Sequence, residues 1–509
     1  MGFLDDAPRS SEPVALAPAD LFGPCLDGHG DADVPTLRLL VDGEWRPATG
    51  GETFDVSSPI DGTLIARAAK GGTDDVEAAI AAARRARAGF RAMPAAERLA
   101  ILQTAGTIVD RTAGSLVAAI VADLGKTPEA AASEVEATRT RLDLVREEVR
   151  KIFGEYLPGD WIGDTVGTSA VVLREPVGTV AAIGPFNYPL FLAASKIIPA
   201  LAAGNAVVAK APSDDPVALV LFARVLEEAG LPPGVLNLVT GPGGEIGDLL
   251  ASHPDVSMIS FTGSSRAGRR ITEVAGPKPL HLELGGNAPA VVLADADLDL
   301  AVAEAAKGAF KSAGQRCDAV SVALVAGEVY DEFVARATEE AERWVVGDPR
   351  ADGVKLGPLV NRAAAERVHG LVDEAVGHGA KVTAGGELDA AYHQPTVLTG
   401  VPLEADIVWE ETFGPVLPVV RVSGLDEALD VANRSRYGLD ACVFTADLAS
   451  AWRAARALET GTVHVNQAPV HGVGHYPFGG RKPDSGVGRE GLGYSIDECT
   501  VLKTVVLPT

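Results

Sequence analysis

A chain of 509 residues with 47% hydrophobic and 22% charged side chains is long enough for two or three domains with sizeable cores. Its formal net charge of −25 argues against nucleic acid as a partner, because a phosphate-binding surface needs a basic patch. No apolar run of membrane-spanning length stands out, and the start MGFLDDAPRSSEP lacks a basic-then-apolar pattern. A cytoplasmic protein with no membrane partner is therefore expected.

The four cysteines (Cys25, Cys317, Cys442, Cys499) lie far apart without a CxxC pair, and the nine histidines form no HExxH cluster. Both facts fit a reducing compartment and point to neither a disulfide framework nor a metal site. The acid excess has two readings, adaptation to a salty cytoplasm or an ordinary acidic protein from a GC-rich genome.

Residues 1–35 are rich in Pro, Asp and Gly without periodicity and read as an extended or mobile leader. Two short strands flank the turn Asp42-Gly43. A helix is expected from Thr73, which can cap it, to about Ala88, with Val76, Ile80 and Ala83 along one stripe. Further helices are expected at 95–112, 113–124 and 128–151. From Val171 the pattern changes to short apolar strands (177–183, 206–210, 235–239, 258–261) alternating with helices (190–201, 217–229, 243–251). That alternation means a parallel sheet with helices on both faces, binding its ligand at the carboxyl ends of the strands. A second α/β region follows to about 480, with strands at 290–293, 320–325 and 416–422. The boundary falls near Glu283-Leu-Gly-Gly286. The alternating tail Thr500–Leu507 suggests pairing with another sheet edge.

Four stretches stand out, a loop at Gly241–Gly247 borders them, and a further stretch carries an isolated cysteine. Gly184-Pro-Phe-Asn-Tyr-Pro189 follows a buried strand, and Asn187 could aim its amide at an oxyanion, although Asn is also common in turns. In Phe261-Thr-Gly-Ser-Ser-Arg-Ala-Gly268, helix-start amides and the Ser264 hydroxyl suit a pyrophosphate. Gly241–Gly247 reads as a loop bordering the cofactor. Glu283 ends an apolar strand, where burial would raise its pKa towards that of a general base; an ion pair is the alternative. Glu410-Glu-Thr-Phe-Gly-Pro415 precedes another strand. Cys317, in Gly308–Ser321, needs such partners to be more than a small buried hydrophobe.

In this order GPFNYP, FTGSSRAG, LELGGN, GQRCDA, EETFGP and PFGGRKPDSGVGREG resemble the aldehyde dehydrogenase superfamily from about residue 37 to the end. The resemblance implies an α/β fold with a Rossmann-like cofactor domain (36–152 and 174–284) and an α/β catalytic domain (285–485). A small β oligomerisation arm with the C-terminal strand (153–173 and 486–509) would join a homodimer or homotetramer. It also implies that Cys317 attacks an aldehyde, with Asn187 and the Cys317 N–H holding the oxyanion and Glu283 activating water against the thioester. Glu283 argues against the CoA-acylating branch, which lacks it. Lys210, Ser213, Phe186, Gly263, Ser264, Glu411 and Phe413 would contact the cofactor. Ser213 stands where NAD-preferring relatives commonly carry glutamate, which implies NADP with NAD tolerated.

Arg316, with Tyr188 and His471, would contact the substrate. Arg316 and the tail from Tyr494 resemble non-phosphorylating glyceraldehyde-3-phosphate dehydrogenases, in which the matching arginine contacts the substrate phosphate. An ion pair orienting the loop is the alternative for Arg316. His471 is the nearest match to a second phosphate arginine, and Arg139, Arg141 and Arg146 are unplaced cations. Glyceraldehyde 3-phosphate is the expected substrate, ahead of lactaldehyde, glyceraldehyde and succinate semialdehyde.

Overall fold

A computed structural model describes residues 2–16, 19–28, 34–472, 474–491 and 493–509. Its first sheet has eight strands. Five of them, in the spatial order Leu280–Glu283, Met258–Thr262, Thr179–Ile183, Ala206–Lys210 and Leu236–Val239, run parallel. Thr179–Ile183, Ala206–Lys210 and Met258–Thr262 are buried at every position, because helices cover both faces. The chain winds outward from Thr179–Ile183 in both directions, which creates a switch point where loops leave the carboxyl ends.

The second sheet has seven strands, parallel except for Lys381–Ala384 at one edge. Cys317 lies just before its strand Val320–Ala326, and Glu411 before Val416–Val422. The two sheets thus meet with opposite strand ends: carboxyl ends supply Asn187, Ser264 and Glu283, while amino ends supply Cys317 and Glu411. A separate antiparallel sheet joins Glu155–Pro158, Thr168–Pro176 and Thr500–Pro508, leaving Trp161, Leu502 and Val506 exposed.

Four expectations change. The leader is not free over its described part: Phe22 and Cys25 are fully buried, in a short 3₁₀ helix packed on the helix Val217–Glu228. The Arg224 side chain donates to the Leu21 carbonyl at 3.1 Å and helps fix it there. Residues 29–33 of that leader lie outside the described residues. Secondly, the two helices expected at 95–112 and 113–124 form one helix, Ala95–Leu124. The Thr112 hydroxyl donates back to the Ile108 carbonyl at 2.8 Å, and the apolar stripe through Leu116 and Ile120 continues without a stop. Gly125, at φ 73°, ends it. Among the described residues this helix alone is long and apolar enough to cross a membrane, and more than half of its apolar window is buried inside the fold.

Thirdly, Thr73 does not cap its helix. Gly72 occupies the cap position, and the Asp75 carboxylate accepts its N–H at 3.1 Å. Finally, Gly486–Val487 pairs antiparallel with Leu280–Glu283 instead of joining the arm. This pairing brings the chain carrying Glu490 and Glu498 in behind Glu283.

Candidate active site

Backbone conformation fixes the cysteine loop. Ser312 (φ 57°) and Ala313 (φ 55°) are consecutive non-glycine residues in the left-handed region, a strained arrangement that needs surrounding support. The Asn187 Nδ2 donates to the Gln315 carbonyl at 2.9 Å, and Gln315 Oε1 accepts from Val360 N–H at 2.8 Å. Asn187 is buried, with a second amide proton left to donate. Gly286 lets the loop approach: a Cβ there would stand 1.9 Å from the Cys317 carbonyl oxygen. Gly286 is therefore explained by the cysteine it faces, and Gly285 by Tyr437, Ser265 and Glu411, which a Cβ there would meet within 3.0 Å.

Cys317 is half-buried at the wall of a cavity of about 320 Å³, shared with Asn187, Tyr188, Arg316, Lys311 and His471. Burial, followed by Asp318, Asp440, Glu283 and Glu411, pushes its thiol well above the usual range. The resting sulfur is a thiol rather than a thiolate, and its reaction needs a proton acceptor. Glu283 is buried, and burial pushes its carboxyl up to about 7 against the pull of His281. Burial also pushes Glu411 up to about 7, against the Gly286 N–H that it accepts at 3.0 Å.

The GPFNYP loop is held by groups that the motif alone does not reveal. Lys126 sits 3.5 Å above the Tyr188 ring and pairs with Glu134 at 2.7 Å. Glu134 in turn accepts the N–H groups of Leu190 (2.9 Å) and Phe191 (3.1 Å), at the start of the helix Phe191–Ala203. The anion side of that loop is thereby used internally.

At the switch point Lys210 is buried, donates to the Ala211 carbonyl at 2.9 Å and keeps two further protons to donate. Burial brings it down to about 8, against Asp214. Ser213 donates to the Gly241 carbonyl at 3.1 Å, which makes the Gly241 loop a neighbour of this corner. Ser264 caps the helix Ser265–Val274 by accepting from Ala267 N–H at 3.3 Å, while its own proton stays available. Gly263 N–H donates to the Glu283 carbonyl at 3.1 Å, tying the phosphate-type loop to the base. Phe186 and Phe413 meet edge to face at 5.6 Å, Phe413 with φ 48°. A buried cationic donor and a neutral hydroxyl after one strand, and helix-start amides after the strand on the other side of Thr179–Ile183, fit a phosphorylated dinucleotide.

On the substrate side two expectations change. The Arg316 fork is already engaged: Nε lies 3.0 Å from Asp318 Oδ1, and NH2 donates to the Pro469 carbonyl at 3.2 Å. Burial opposes its charge, but Asp318, Tyr188, Cys317 and Asp440 outweigh it. His471 supplies no cation near neutral pH, since burial lowers its pKa and its ring stacks on Phe478 at 3.9 Å. Arg139 and Arg141 are paired with Asp110 and Glu148, away from the cavity wall. Sequence reasoning missed Lys311. Among the described residues it makes no ion pair, and its signal was a lysine six positions before the cysteine.

The aldehyde dehydrogenase family profile matches residues 45–505. An NADP-dependent glyceraldehyde-3-phosphate dehydrogenase of Streptococcus equinus is 38% identical over 470 residues, covering 92% of this chain and 98% of that protein. A 3-sulfolactaldehyde dehydrogenase of Priestia aryabhattai is also 38% identical, over 474 residues, covering 93% and 98%. The crystal structure of the NADP-dependent glyceraldehyde-3-phosphate dehydrogenase from Bacillus halodurans C-125 complexed with NADP superposes with a TM-score of 0.91. It shows 37% identity and covers 92% of this chain and 99% of that one. The chain belongs to the aldehyde dehydrogenase family. Its reaction class is oxidation of an aldehyde to the carboxylic acid.

Proposed function

We propose that this protein is a cytoplasmic, homo-oligomeric, NADP-dependent dehydrogenase of a small anionic aldehyde, with glyceraldehyde 3-phosphate the leading candidate. The observation carrying this reading is that one cavity of about 320 Å³ has Cys317 in its wall together with Arg316 and Lys311. A space of that size admits a small molecule only; Asp318 in the same wall pairs Arg316, and Lys311, which has no ion pair among the described residues, is the cation that favours an anion. The relatives named for glyceraldehyde 3-phosphate and 3-sulfolactaldehyde support the same substrate class. The exposed apolar residues of the three-stranded arm support association.

In this mechanism the Cys317 thiol gives its proton to solvent in the cavity as its sulfur bonds the aldehyde carbon. The free amide proton of Asn187 holds the resulting oxyanion, a donor whose loss costs about 10²–10³ in rate. NADP, when bound, supplies the hydride acceptor. Lys210 and Ser213 would hold its adenosine end, because a neutral Ser213 leaves room for a 2′-phosphate, and Glu411 would hold the other ribose. Glu283 then removes a proton from water as its oxygen attacks the Cys317 thioester, releasing a free acid.

A second reading has its own observation. Asp318 already partners Arg316, so among the described residues Lys311 is the cation of this wall without an ion pair, which suits a singly charged head such as the carboxylate of succinate semialdehyde. The test is kcat/KM with NADP and NAD over phosphorylated, carboxylated and neutral aldehydes, in the native protein and in Lys311→Met and Arg316→Leu. Loss of charge should cost anionic aldehydes at least about tenfold more than lactaldehyde. Equal losses on charged and neutral aldehydes would sink the anion reading.

A further inference from the structure

Strand Leu280–Glu283 places His281 and Glu283 on one face, two residues apart. Both are buried, and neither carboxylate oxygen of Glu283 has a hydrogen-bond partner among the described residues. His281 Nε2 stands 3.5 Å from Glu283 Oε1, while Nδ1 is in close contact with the Glu498 carboxylate. Glu498 accepts the Arg489 N–H at 2.8 Å and, with its side chain 27% exposed, reaches solvent. A buried carboxylate, an imidazole and a partly exposed carboxylate therefore form one line from the cysteine side of the sheet to water.

The other groups packed here do not offer the same route. Glu490 lies 4.0 Å from His281 Nε2, but Lys196 holds it at 3.1 Å. Burial of Glu490 is outweighed by Lys196, His471 and His281, so its carboxyl stays far below the usual range and is a fixed anion. Arg489 contributes only its backbone to Glu498, since its guanidinium donates to the Gly480 and Gly488 carbonyls. On the opposite side the Cys317 thiol faces both Glu283 and Glu411. Among the described residues His281 is the one titratable base in contact with both Glu283 and a solvent-reaching acid.

We infer that His281 is a positioning residue that orients Glu283 and passes to Glu498 and solvent the proton Glu283 takes from the hydrolytic water. The inference rests on Glu283 being the base of hydrolysis. As the water oxygen bonds the thioester carbon, its proton goes to Glu283, and the C–S bond breaks with its electron pair on Cys317. His281, an imidazolium at rest, first gives its Nδ1 proton to Glu498, which exchanges it with water. The remaining ring proton then moves to Nδ1 by tautomer exchange, and the freed Nε2 takes the proton of Glu283, which restores the imidazolium. The electrostatics agree. Burial draws the His281 pKa down, but Glu283 and Glu498 outweigh it and bring it up to about 9, while Glu283 stands at about 7. Near neutral pH His281 therefore holds its proton while the Glu283 carboxyl beside it titrates, poised to take a proton from water.

The experiment uses the full chain with its best aldehyde and NADP, comparing the native protein with His281→Gln, Glu498→Gln and Glu283→Gln. Rapid quenching measures acyl-enzyme formation and its hydrolysis separately across pH about 6 to 9. His281→Gln should leave acylation within about twofold and slow hydrolysis by at least about tenfold. It should also move the acid limb of hydrolysis to higher pH, because His281 lowers the Glu283 pKa. Added imidazole should restore part of the lost rate. Glu498→Gln keeps the hydrogen bond but not the charge, and should act in the same direction more weakly. It decides the matter if His281→Gln is unstable. Superimposable hydrolysis profiles, or acylation falling in step with hydrolysis, overturn the inference. Full hydrolysis in Glu283→Gln would instead remove the base reading itself. A block there with native behaviour in His281→Gln removes the relay alone.

Discussion

Lys196 and Glu490 form an ion pair of 3.1 Å with side chains only 1% and 2% exposed, next to the candidate base. Replacing Lys196 by Met keeps the volume but strands a buried carboxylate, a change worth about 3–5 kcal/mol of stability. The pH dependence supplies a sharper sign. In the native protein the Glu490 carboxyl is depressed, so its contribution is present above the unfolded carboxylate range and is lost as pH falls through the folded value. Without Lys196, burial prevails and the carboxyl rises above that range, so the variant loses stability as pH rises. The gap between native and Lys196→Met should therefore widen from about pH 5 to pH 8 when measured by urea unfolding. Glu490→Gln in the same background should close much of it. A gap below about 1 kcal/mol at pH 8, or one that narrows with pH, would refute the reasoning.

Ser213→Glu should shift cofactor use from NADP towards NAD by at least about tenfold in kcat/KM, since a carboxylate would repel a 2′-phosphate. Unchanged preference would mean that the phosphate lies elsewhere. Gly286→Ala places a Cβ 1.9 Å from the Cys317 carbonyl oxygen and must displace the nucleophile loop. A displacement near 1 Å costs about 10²-fold, so kcat should fall at least that far while cofactor binding, followed by fluorescence titration, stays near native. Phe22→Ala, in the N-terminal 3₁₀ helix, removes a fully buried ring and should cost about 3–5 kcal/mol by urea unfolding. A loss under about 1 kcal/mol would restore the picture of a leader that contributes nothing.

The alternation of apolar strands with helices was legible because both faces of each parallel strand are buried, leaving a continuous apolar run between polar loops. That the candidate residues Asn187, Glu283 and Cys317 belong together was legible for a different reason. Asn187, Glu283 and Cys317 sit in short stretches whose glycines are dictated by close backbone approach, as Gly286 shows against Cys317. Less local features escaped. Whether Thr112 and Ala113 break a helix depends on what the far side packs against, and there the Thr112 hydroxyl bonds back along its own helix. The burial of Phe22 depends on a helix about 200 residues later. Nothing in Arg316-Cys-Asp318 says whether the arginine faces a ligand or the acid two places on. The structure shows it contacting the acid.

That contact changes where substrate recognition should be sought. Four basic side chains buried around the nucleophile and base have acid partners: Lys126 has Glu134, Lys196 has Glu490, Arg141 has Glu148 and Arg316 has Asp318. Such pairs hold loops in place, but their charge is largely cancelled for an incoming anion. Lys311 stands in the same cavity wall, half-buried and with no ion pair among the described residues. An anionic aldehyde that met only the paired arginine would gain little from charge, whereas one reaching Lys311 would complete a pair that the fold leaves open. The backbone agrees, because Lys311 is followed directly by the strained residues Ser312 and Ala313, which join it to the nucleophile loop. Binding at Lys311 would therefore act on the segment that positions Cys317, so losing its charge should lower kcat for anionic aldehydes as well as raise their KM. If Lys311→Met changed KM alone, with kcat at the native value, that coupling would be absent and Lys311 would serve affinity only.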